Sequence, residues 1–238
     1  MKKSILLIFV LIICFSIVNS QIKDIKVKEK WLKVKDDDAN AVDIFAQHKK
    51  YYTVKDFKIG GTYEYGNENA YEYGGKGGTT LESLGLPSAQ MAYIELGKPN
   101  YNEKGEIDNA ILICPYYSGD STNMLNFWWH KGSRTDFSCG AHIGPGKVFD
   151  TNKYYIIVAD GLGLWGASKP SSSNPDQKTS YSLGLDFPQY SLEDCVQLMY
   201  RLLKDKLKIN KLKLVTGVSM GGTLTYGWGV LHPEYVES

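Results

Sequence analysis

The chain has 238 residues, of which 43% are hydrophobic and 22% are charged, and its formal net charge is +1. These proportions are ordinary for a globular protein, and the length suffices for one large domain or two small ones. The nearly balanced charge gives no reason to expect nucleic acid or an acidic surface as a partner.

The N-terminus predicts a secretory signal peptide over residues 1–20. Met1–Lys3 is a basic start, the run at 5–18 is apolar except for Ser16, and Ser20 supplies the small residue of a cleavage site. The run is shorter than the about 20 apolar residues that span a membrane, and a retained signal anchor is the alternative. The mature protein is therefore expected to be secreted or lumenal, without membrane contact after signal removal.

Removing the signal peptide leaves Cys114, Cys139 and Cys195, an odd number for an oxidising compartment. At most one internal disulfide can form. Cys114 ends an apolar strand and Cys195 lies on the apolar face of a helix, so both are predicted to pack in the core, whereas Cys139 lies in a loop. No spacing of ligand residues resembles a metal site, so no bound metal is predicted.

Residues 21–80 are predicted to be an N-terminal extension. Lys alternates with apolar residues at 22–28, and Tyr-Glu-Tyr-Gly occurs at 63–66 and again at 71–74. Two copies are too few for a solenoid. A Gly- and Tyr-rich surface hairpin or loop is favoured over a surface that stacks on sugars. Compact α/β patterning is expected to begin near Leu81.

Beyond that point the chain predicts strands that alternate with helices. Strand candidates are the apolar runs at 90–96, 110–114, 154–159 and 212–215. Ser191–Leu207 predicts a helix that Ser191 caps, with Glu193 and Asp194 in its first turn. Several buried strands with helical crossovers predict a parallel, doubly wound sheet.

Gly161–Gly166 fits the G-x-G-x-x-G pattern of dinucleotide-binding sites and directly follows a strand. Such a site requires a helix that opens at the last glycines, so that its N-terminus meets the pyrophosphate. The residues that follow are rich in Ser and include Pro170 and Pro175, which do not favour a helix. The sequence therefore argues against a dinucleotide site.

The main chemical signal is the segment 217–221, Gly-Val-Ser-Met-Gly, which fits the nucleophile elbow G-x-S-x-G. In that motif a serine, here Ser219, occupies a strained turn between a strand and a helix. Side chains at Gly217 and Gly221 would collide across the turn. Gly222 is predicted to remove a further side chain where helix and strand pack closely. A Gly-rich loop that merely contains a serine is the alternative.

The helix after the turn would direct its positive N-terminus at Ser219 and so favour an alkoxide or oxyanion there. The backbone N–H of Met220 is one expected oxyanion donor. The second donor in such sites comes from the loop after an early strand, which here is Pro115–Ser121. Gly119 would allow close approach of the backbone, although an ordinary turn would also explain this loop.

From residue 81 onward the chain resembles the homoserine O-acetyltransferase family of α/β-hydrolases. The matching segments occur in the family's order and are 81–83 with 92–93, 111–121 (ILICPYYSGDS), 143–147 with 150–151, 154–161 with 170–172 and 174–175, 184–188, and 217–222. The resemblance implies an α/β-hydrolase domain over 81–238, mostly parallel, doubly wound and C-terminally incomplete. It also implies Ser219 as nucleophile and the backbone N–H groups of Tyr117 and Met220 as oxyanion hole.

The chain departs from the family pattern at the predicted oxyanion loop. The family usually has His where this chain has Pro115, and Ala-Leu where it has Tyr116-Tyr117. Relatives place the triad Asp and His after the nucleophile, in the order Ser, Asp, His. The resemblance therefore implies that these two residues lie beyond Ser238, so that this chain alone is expected to be inactive.

The histidines of the chain are weak candidates for a base. His232 follows the helix that leaves Ser219 and is predicted to lie on the surface, far from the hydroxyl. His130 and His142 flank a loop that could reach the site as substitutes. Trp128 and Trp129 are expected to wall a pocket or fill the core.

The sequence and the resemblance leave two alternative functions. The first is a serine acyl-transfer enzyme that forms an acyl-enzyme on Ser219 from a small-molecule acyl ester or thioester, with acetyl-CoA as one donor and an alcohol or water as acceptor. No permanently bound cofactor is expected. The family favours the transferase, whereas secretion favours hydrolysis because acetyl-CoA is scarce outside cells. The second is a non-catalytic or incomplete secreted binding protein. The oligomeric state stays open, with a homodimer as one alternative.

Overall fold

The computed structural model of the protein describes residues 32–34, 48–64, 73–129, 142–176 and 180–238. The predicted signal peptide, the Lys-rich stretch at 22–28, His130 and Cys139 lie outside these ranges. Within them, no helix has the length and apolar character that a membrane crossing requires.

The described residues form seven strands and three α-helices. In chain order these are β1 (Leu32–Val34), β2 (Lys50–Val54), β3 (Ala89–Leu96), β4 (Ala110–Cys114), α1 (Ser121–Trp129), β5 (Tyr155–Ala159), β6 (Ser180–Ser182), α2 (Leu192–Arg201), β7 (Leu214–Gly217) and α3 (Met220–Leu231). Short 3-10 turns occur at Glu82–Leu84, Gly184–Asp186 and Pro233–Tyr235, and α2 continues as a π-helical turn over Leu202–Lys206.

Five strands form the main sheet in the order β2-β3-β5-β4-β7. β4 runs parallel to β5 and β7, whereas β3 is antiparallel to both of its neighbours. β4 and β5 are buried along their whole length, as expected for apolar runs covered on both faces. Apart from β3, the strands of this sheet all run in the same direction, so the predicted mostly parallel α/β sheet is confirmed. The loops after β4, β5 and β7 open at one edge of the sheet, which is where such sheets place ligands.

Different helices cover the two faces of the sheet. Ile111 and Ile113 of β4 share one buried cluster with Met124 of α1. Because successive strand residues point to opposite faces, Leu112 and Cys114 lie on the other face, and both are fully buried. There α3 contacts β4 and β7, and α2 packs against α3. The sheet is therefore doubly wound, as the sequence predicts.

The sheet begins earlier than the sequence predicts. β2 lies inside the segment 21–80 that was assigned to an extension, and it pairs with β3 from Lys50 opposite Tyr93 onward. Phe57, a few residues later, is fully buried. The compact fold thus starts before Leu81. β2 is an edge strand whose first four residues are exposed or half-buried, so its Lys- and Tyr-rich sequence resembles a solvated segment.

The Gly- and Tyr-rich segment is a paired loop against the start of α2. Isolated bridges connect residues 59–62 with residues 76–79. The hydroxyl of Tyr63 and the N–H of Gly60 both donate to the carboxylate of Asp194. The prediction of a hairpin or loop is confirmed for the described residues, and the helix contact explains how this polar segment is held.

The capping of α2 is confirmed as predicted. Asp194 N–H donates to Ser191 Oγ at 3.3 Å, and Ser191 N–H donates to Asp194 Oδ2 at 2.8 Å. This reciprocal pair is a capping box, which satisfies two backbone donors at the helix start. The helix is regular only as far as Arg201, and the π-helical turn replaces the predicted continuation towards Leu207.

Candidate active site

Ser219 occupies the turn between β7 and α3, as the motif predicts. Its backbone has φ 57° and ψ −123°, a conformation that costs free energy for a residue with a side chain. The residue is exposed and directly precedes the first residue of α3, Met220. The strand, the strained turn and the helix are thus all present, and Ser219 is exposed at the edge of the sheet where open α/β sheets place their ligands.

The three glycines around Ser219 differ in how closely other atoms approach the position that a Cβ would occupy. A Cβ at Gly217 would lie 2.5 Å from the carbonyl carbon of Gly221, and a Cβ at Gly221 would lie 2.6 Å from the Cys114 carbonyl oxygen. The predicted need for glycine at these two positions is confirmed. The prediction for Gly222 is wrong, because a Cβ there would meet its nearest neighbour at 3.7 Å, an ordinary contact. Position 222 is turned about 100° further around the helix and points away from β4.

The two predicted oxyanion donors lie on adjacent strand ends. Cys114 at the end of β4 is in register with Gly217 at the end of β7, and Tyr117 follows Cys114 in the next turn. Within the described residues, neither the N–H of Tyr117 nor that of Met220 donates a hydrogen bond to the protein. The structure brings both groups to the edge that carries Ser219, and their role as oxyanion donors stays a prediction.

Two tyrosines belong to or contact the loops at this edge. Tyr117 is 71% exposed. Tyr190 packs its ring on Gly163, in the loop after β5, and its hydroxyl donates to the Gly163 carbonyl at 3.3 Å. That loop continues as turns and bridges over the described residues 161–176 and opens no helix, so the prediction that no helix follows Gly161–Gly166 is confirmed.

His232 is buried and does not lie on the surface as the sequence predicts. It is 1% exposed, stacks on Tyr200 with ring centroids 4.0 Å apart, and has its Nε2 atom 2.9 Å from Nε2 of Gln197. The prediction is wrong because α3 packs against α2 and the chain after His232 returns beside β7: the Tyr235 carbonyl accepts from Leu212 N–H just before β7, and the Ser238 carbonyl accepts from Val215 N–H within it. Its distance from Ser219 is as predicted, since the 12 residues of α3 separate them.

The other described histidines do not contact Ser219 either. His142 follows the C-terminal end of α1, where its N–H donates to the Trp128 carbonyl and its ring lies edge-on to the indole. α1 begins at the edge of the sheet that carries Ser219 and leads away from it by about 1.5 Å per residue. His142, at the C-terminal end of α1, therefore lies far from Ser219. His48 is exposed ahead of β2. Trp128 also packs on Phe149, as expected for a residue that fills the core.

The burial of His232 predicts acid sensitivity. Burial, with a smaller contribution from Lys204, lowers its pKa from 6.5 to about 4. The unfolded chain therefore binds a proton below pH 6.5 that the folded chain does not bind until about pH 4, so stability falls as the pH drops through this window. The expected loss is about 3 kcal/mol, since one pKa unit corresponds to about 1.4 kcal/mol.

Urea unfolding between pH 7 and pH 4 measures this loss. The variant His232→Phe keeps a ring on Tyr200 but removes the titrating group, so its stability should depend less on pH by the same amount. Equal pH dependence in both proteins would contradict the assignment, whatever the difference in their absolute stabilities.

The two described cysteines, Cys114 and Cys195, are buried free thiols, which confirms their predicted place in the core. Burial raises the pKa of both thiols, that of Cys195 to about 12. Since the thiolate is the reactive form, neither thiol is activated as a nucleophile. Among the described residues no group of three His, Cys, Asp or Glu side chains is arranged to hold a metal ion.

Comparison with known proteins places the chain among the α/β-hydrolase folds. It superposes on esterase E22 with a TM-score of 0.52 at 27% identity, covering 79% of this chain and 45% of that one. The homoserine O-acetyltransferase from Bacillus anthracis gives a TM-score of 0.53 at 26% identity, covering 79% and 44%. No family model matches the chain.

The more particular resemblance is to the homoserine O-acetyltransferases, as the motifs predict. The chain is 39% identical to the enzyme of Methanohalophilus mahii over 153 residues, which are 64% of this chain and 30% of the relative. It is 36% identical to that of Chloroherpeton thalassium over 161 residues, or 67% and 38% of the two chains. The alignments thus cover only 30% and 38% of the lengths of these two relatives.

Proposed function

We propose that the protein is a serine acyl-transfer enzyme that carries its acyl group on Ser219. The observation that supports this most directly is the backbone of Ser219, with φ 57° in an exposed turn at the start of α3. Backbone strain of this kind persists where the surrounding structure enforces it, and it is concentrated at functional sites. The homology to homoserine O-acetyltransferases and the fold shared with esterases support acyl chemistry.

In the proposed reaction, Ser219 Oγ attacks the carbonyl carbon of an ester or thioester and loses its proton to a base. The negative charge that develops on the carbonyl oxygen is stabilised by the N–H groups of Tyr117 and Met220. The tetrahedral intermediate collapses to an acyl-enzyme as the alcohol or thiol leaves with a proton. Water or an acceptor alcohol then attacks the acyl-enzyme and releases Ser219.

The base is the part of this reaction that the described residues do not supply. Ser219 makes no side-chain capping hydrogen bond, while His232 stacks on Tyr200 and His142 lies against Trp128. The resemblance implies a triad Asp and His, and we propose that such residues, outside the described ranges, activate the serine.

A fluorophosphonate probe tests the nucleophile directly. The full-length protein, folded as judged by circular dichroism, is incubated with the probe, digested and analysed by mass spectrometry. We expect the probe on the peptide that contains Ser219 and none on heat-unfolded protein. A folded full-length protein that stays unlabelled, or that is labelled elsewhere, would overturn the proposal.

Product analysis separates transfer from hydrolysis. Acetyl-CoA or an acetyl ester is supplied with and without homoserine, and acetylated homoserine and acetate are quantified. The named relatives favour transfer, whereas the predicted secretion favours hydrolysis, and we propose esterase-like chemistry on a transferase-like scaffold. Acetylated homoserine as the main product would decide against hydrolysis.

The absence of a base among the described residues favours one alternative, a non-catalytic secreted protein that binds a ligand at the same edge. It predicts no labelling and no turnover in a full-length protein that nevertheless binds acyl esters, as measured by calorimetry.

A further inference from the structure

A buried ion pair lies at the same edge of the sheet as Ser219. Lys49 Nζ is 2.8 Å from Asp120 Oδ2, and the two side chains are 7% and 3% exposed. Burying two charges costs desolvation that their attraction only partly offsets, so such a pair is weak evidence for stability alone. The place of the pair in the chain indicates a more specific role.

Asp120 ends the loop that carries Tyr117. Its Oδ1 atom accepts hydrogen bonds from Asn123 N–H at 2.8 Å and Thr122 Oγ1 at 2.7 Å, so it caps the start of α1. Its Oδ2 atom accepts from Lys49. Burial alone would raise the pKa of Asp120, but the Lys49 charge and these hydrogen bonds outweigh it and hold the pKa below its usual value. The carboxylate is therefore ionised and fully partnered.

A second buried carboxylate fixes the next residue. Asp160 lies directly after β5, is fully buried, and accepts hydrogen bonds from both the N–H and the hydroxyl of Ser121. The beginning of the loop is held at β4, where a Cβ on Gly221 of α3 would already touch the Cys114 carbonyl. Both ends of the short loop that carries Tyr117 are thus anchored.

Lys49 reaches this loop because of the strand register. Lys50, the first residue of β2, is opposite Tyr93, and Tyr93 is opposite Ala159 at the end of β5. The start of β2 therefore lies level with the C-terminal ends of the parallel strands. Lys49 precedes β2 by one residue and extends to the loop that follows β4.

We infer that Lys49 is a positioning residue, which through Asp120 holds the loop so that the Tyr117 N–H faces the oxyanion formed at Ser219. The inference rests on the proposed function. An oxyanion donor acts only when it lies about 3 Å from the position that the charged oxygen will occupy. Loosening the loop would therefore weaken binding of the transition state while leaving substrate binding nearly unchanged.

Substitution of Lys49 tests this. In the full-length protein, Lys49→Met should lower kcat for an acyl ester about 10- to 100-fold, somewhat less than deletion of an oxyanion donor, with KM little changed. Lys49→Arg keeps the charge and should restore most of kcat. Lys50→Met is the matched control, because Lys50 is 55% exposed and pairs with Glu95 away from the loop, and its kcat should equal that of the wild type.

Titration of active sites with the fluorophosphonate separates positioning from folding. If kcat per labelled site is unchanged in Lys49→Met, the inference is wrong and Lys49 serves only stability. Should this variant fail to fold, the double variant Lys49→Met/Asp120→Asn removes both buried charges, and wild-type kcat in it would equally overturn the inference. A wild-type protein without labelling or turnover would instead remove the proposed function, and this inference with it.

Discussion

Replacement of Ser219 with glycine is expected to abolish acyl transfer and to stabilise the fold. Without the hydroxyl no acyl-enzyme forms, and losing a serine nucleophile costs about 10⁶-fold in kcat. Ser219 has φ 57°, which glycine adopts without steric cost. Relief of that strain should raise the free energy of unfolding by about 1 kcal/mol. Ester turnover and urea unfolding measure the two effects in one preparation.

Two further variants separate the effects. Ser219→Ala removes the hydroxyl but keeps a Cβ at the same φ, so activity should be lost without a gain in stability. Lys208 has φ 57° as well and lies outside the candidate site, so Lys208→Gly should gain stability and keep full activity. A kcat of Ser219→Gly within about tenfold of the wild type would show that another group is the nucleophile, because residual turnover from the oxyanion hole and substrate binding alone is far smaller. A loss of stability in the same variant would show that the turn is not strained.

Patterns in the local sequence predicted the strand β4 and the turn at Ser219. β4 is an unbroken apolar run and was predicted with the bounds that the structure shows, Ala110–Cys114. The turn at Ser219 needs small residues on both sides, and the pattern G-x-S-x-G at 217–221 shows this need in the sequence itself. β7 begins two residues later than predicted because Leu212 instead forms an isolated bridge with Val236.

Contacts between distant segments explain what the sequence could not predict. α1 was not predicted, and its start depends on Asp160, a buried carboxylate 39 residues away from Ser121. The Lys49–Asp120 pair joins residues 71 positions apart, so no local pattern indicates it. The Leu-His-Pro-Glu sequence at 231–234 indicates a surface turn, and only the return of the chain along β7 buries His232.

Alanine at Gly221 and at Gly222 is expected to have opposite effects, although the two glycines are adjacent. A Cβ at Gly221 would lie 2.6 Å from the Cys114 carbonyl oxygen and 3.1 Å from that of Pro115. Both are backbone atoms at the start of the loop that carries Tyr117, so the clash can be relieved only by moving β4 away from α3. Such overpacking costs about 1 to 3 kcal/mol. A displacement of about 1 Å at the oxyanion donors should also lower kcat about 100-fold.

Gly222→Ala is the matched control, with the same change of side chain one residue later. Its Cβ would meet only the Gly217 carbonyl oxygen at 3.7 Å, and alanine is favoured over glycine in a helix by up to about 1 kcal/mol. This variant should therefore be as active as the wild type and as stable or more so, measured by ester turnover and urea unfolding. Equal losses in both variants would mean that the first turn of α3 tolerates no side chain at all. Equal tolerance would mean that α3 does not press on the end of β4, and the proposed geometry of the oxyanion hole would then lose its basis.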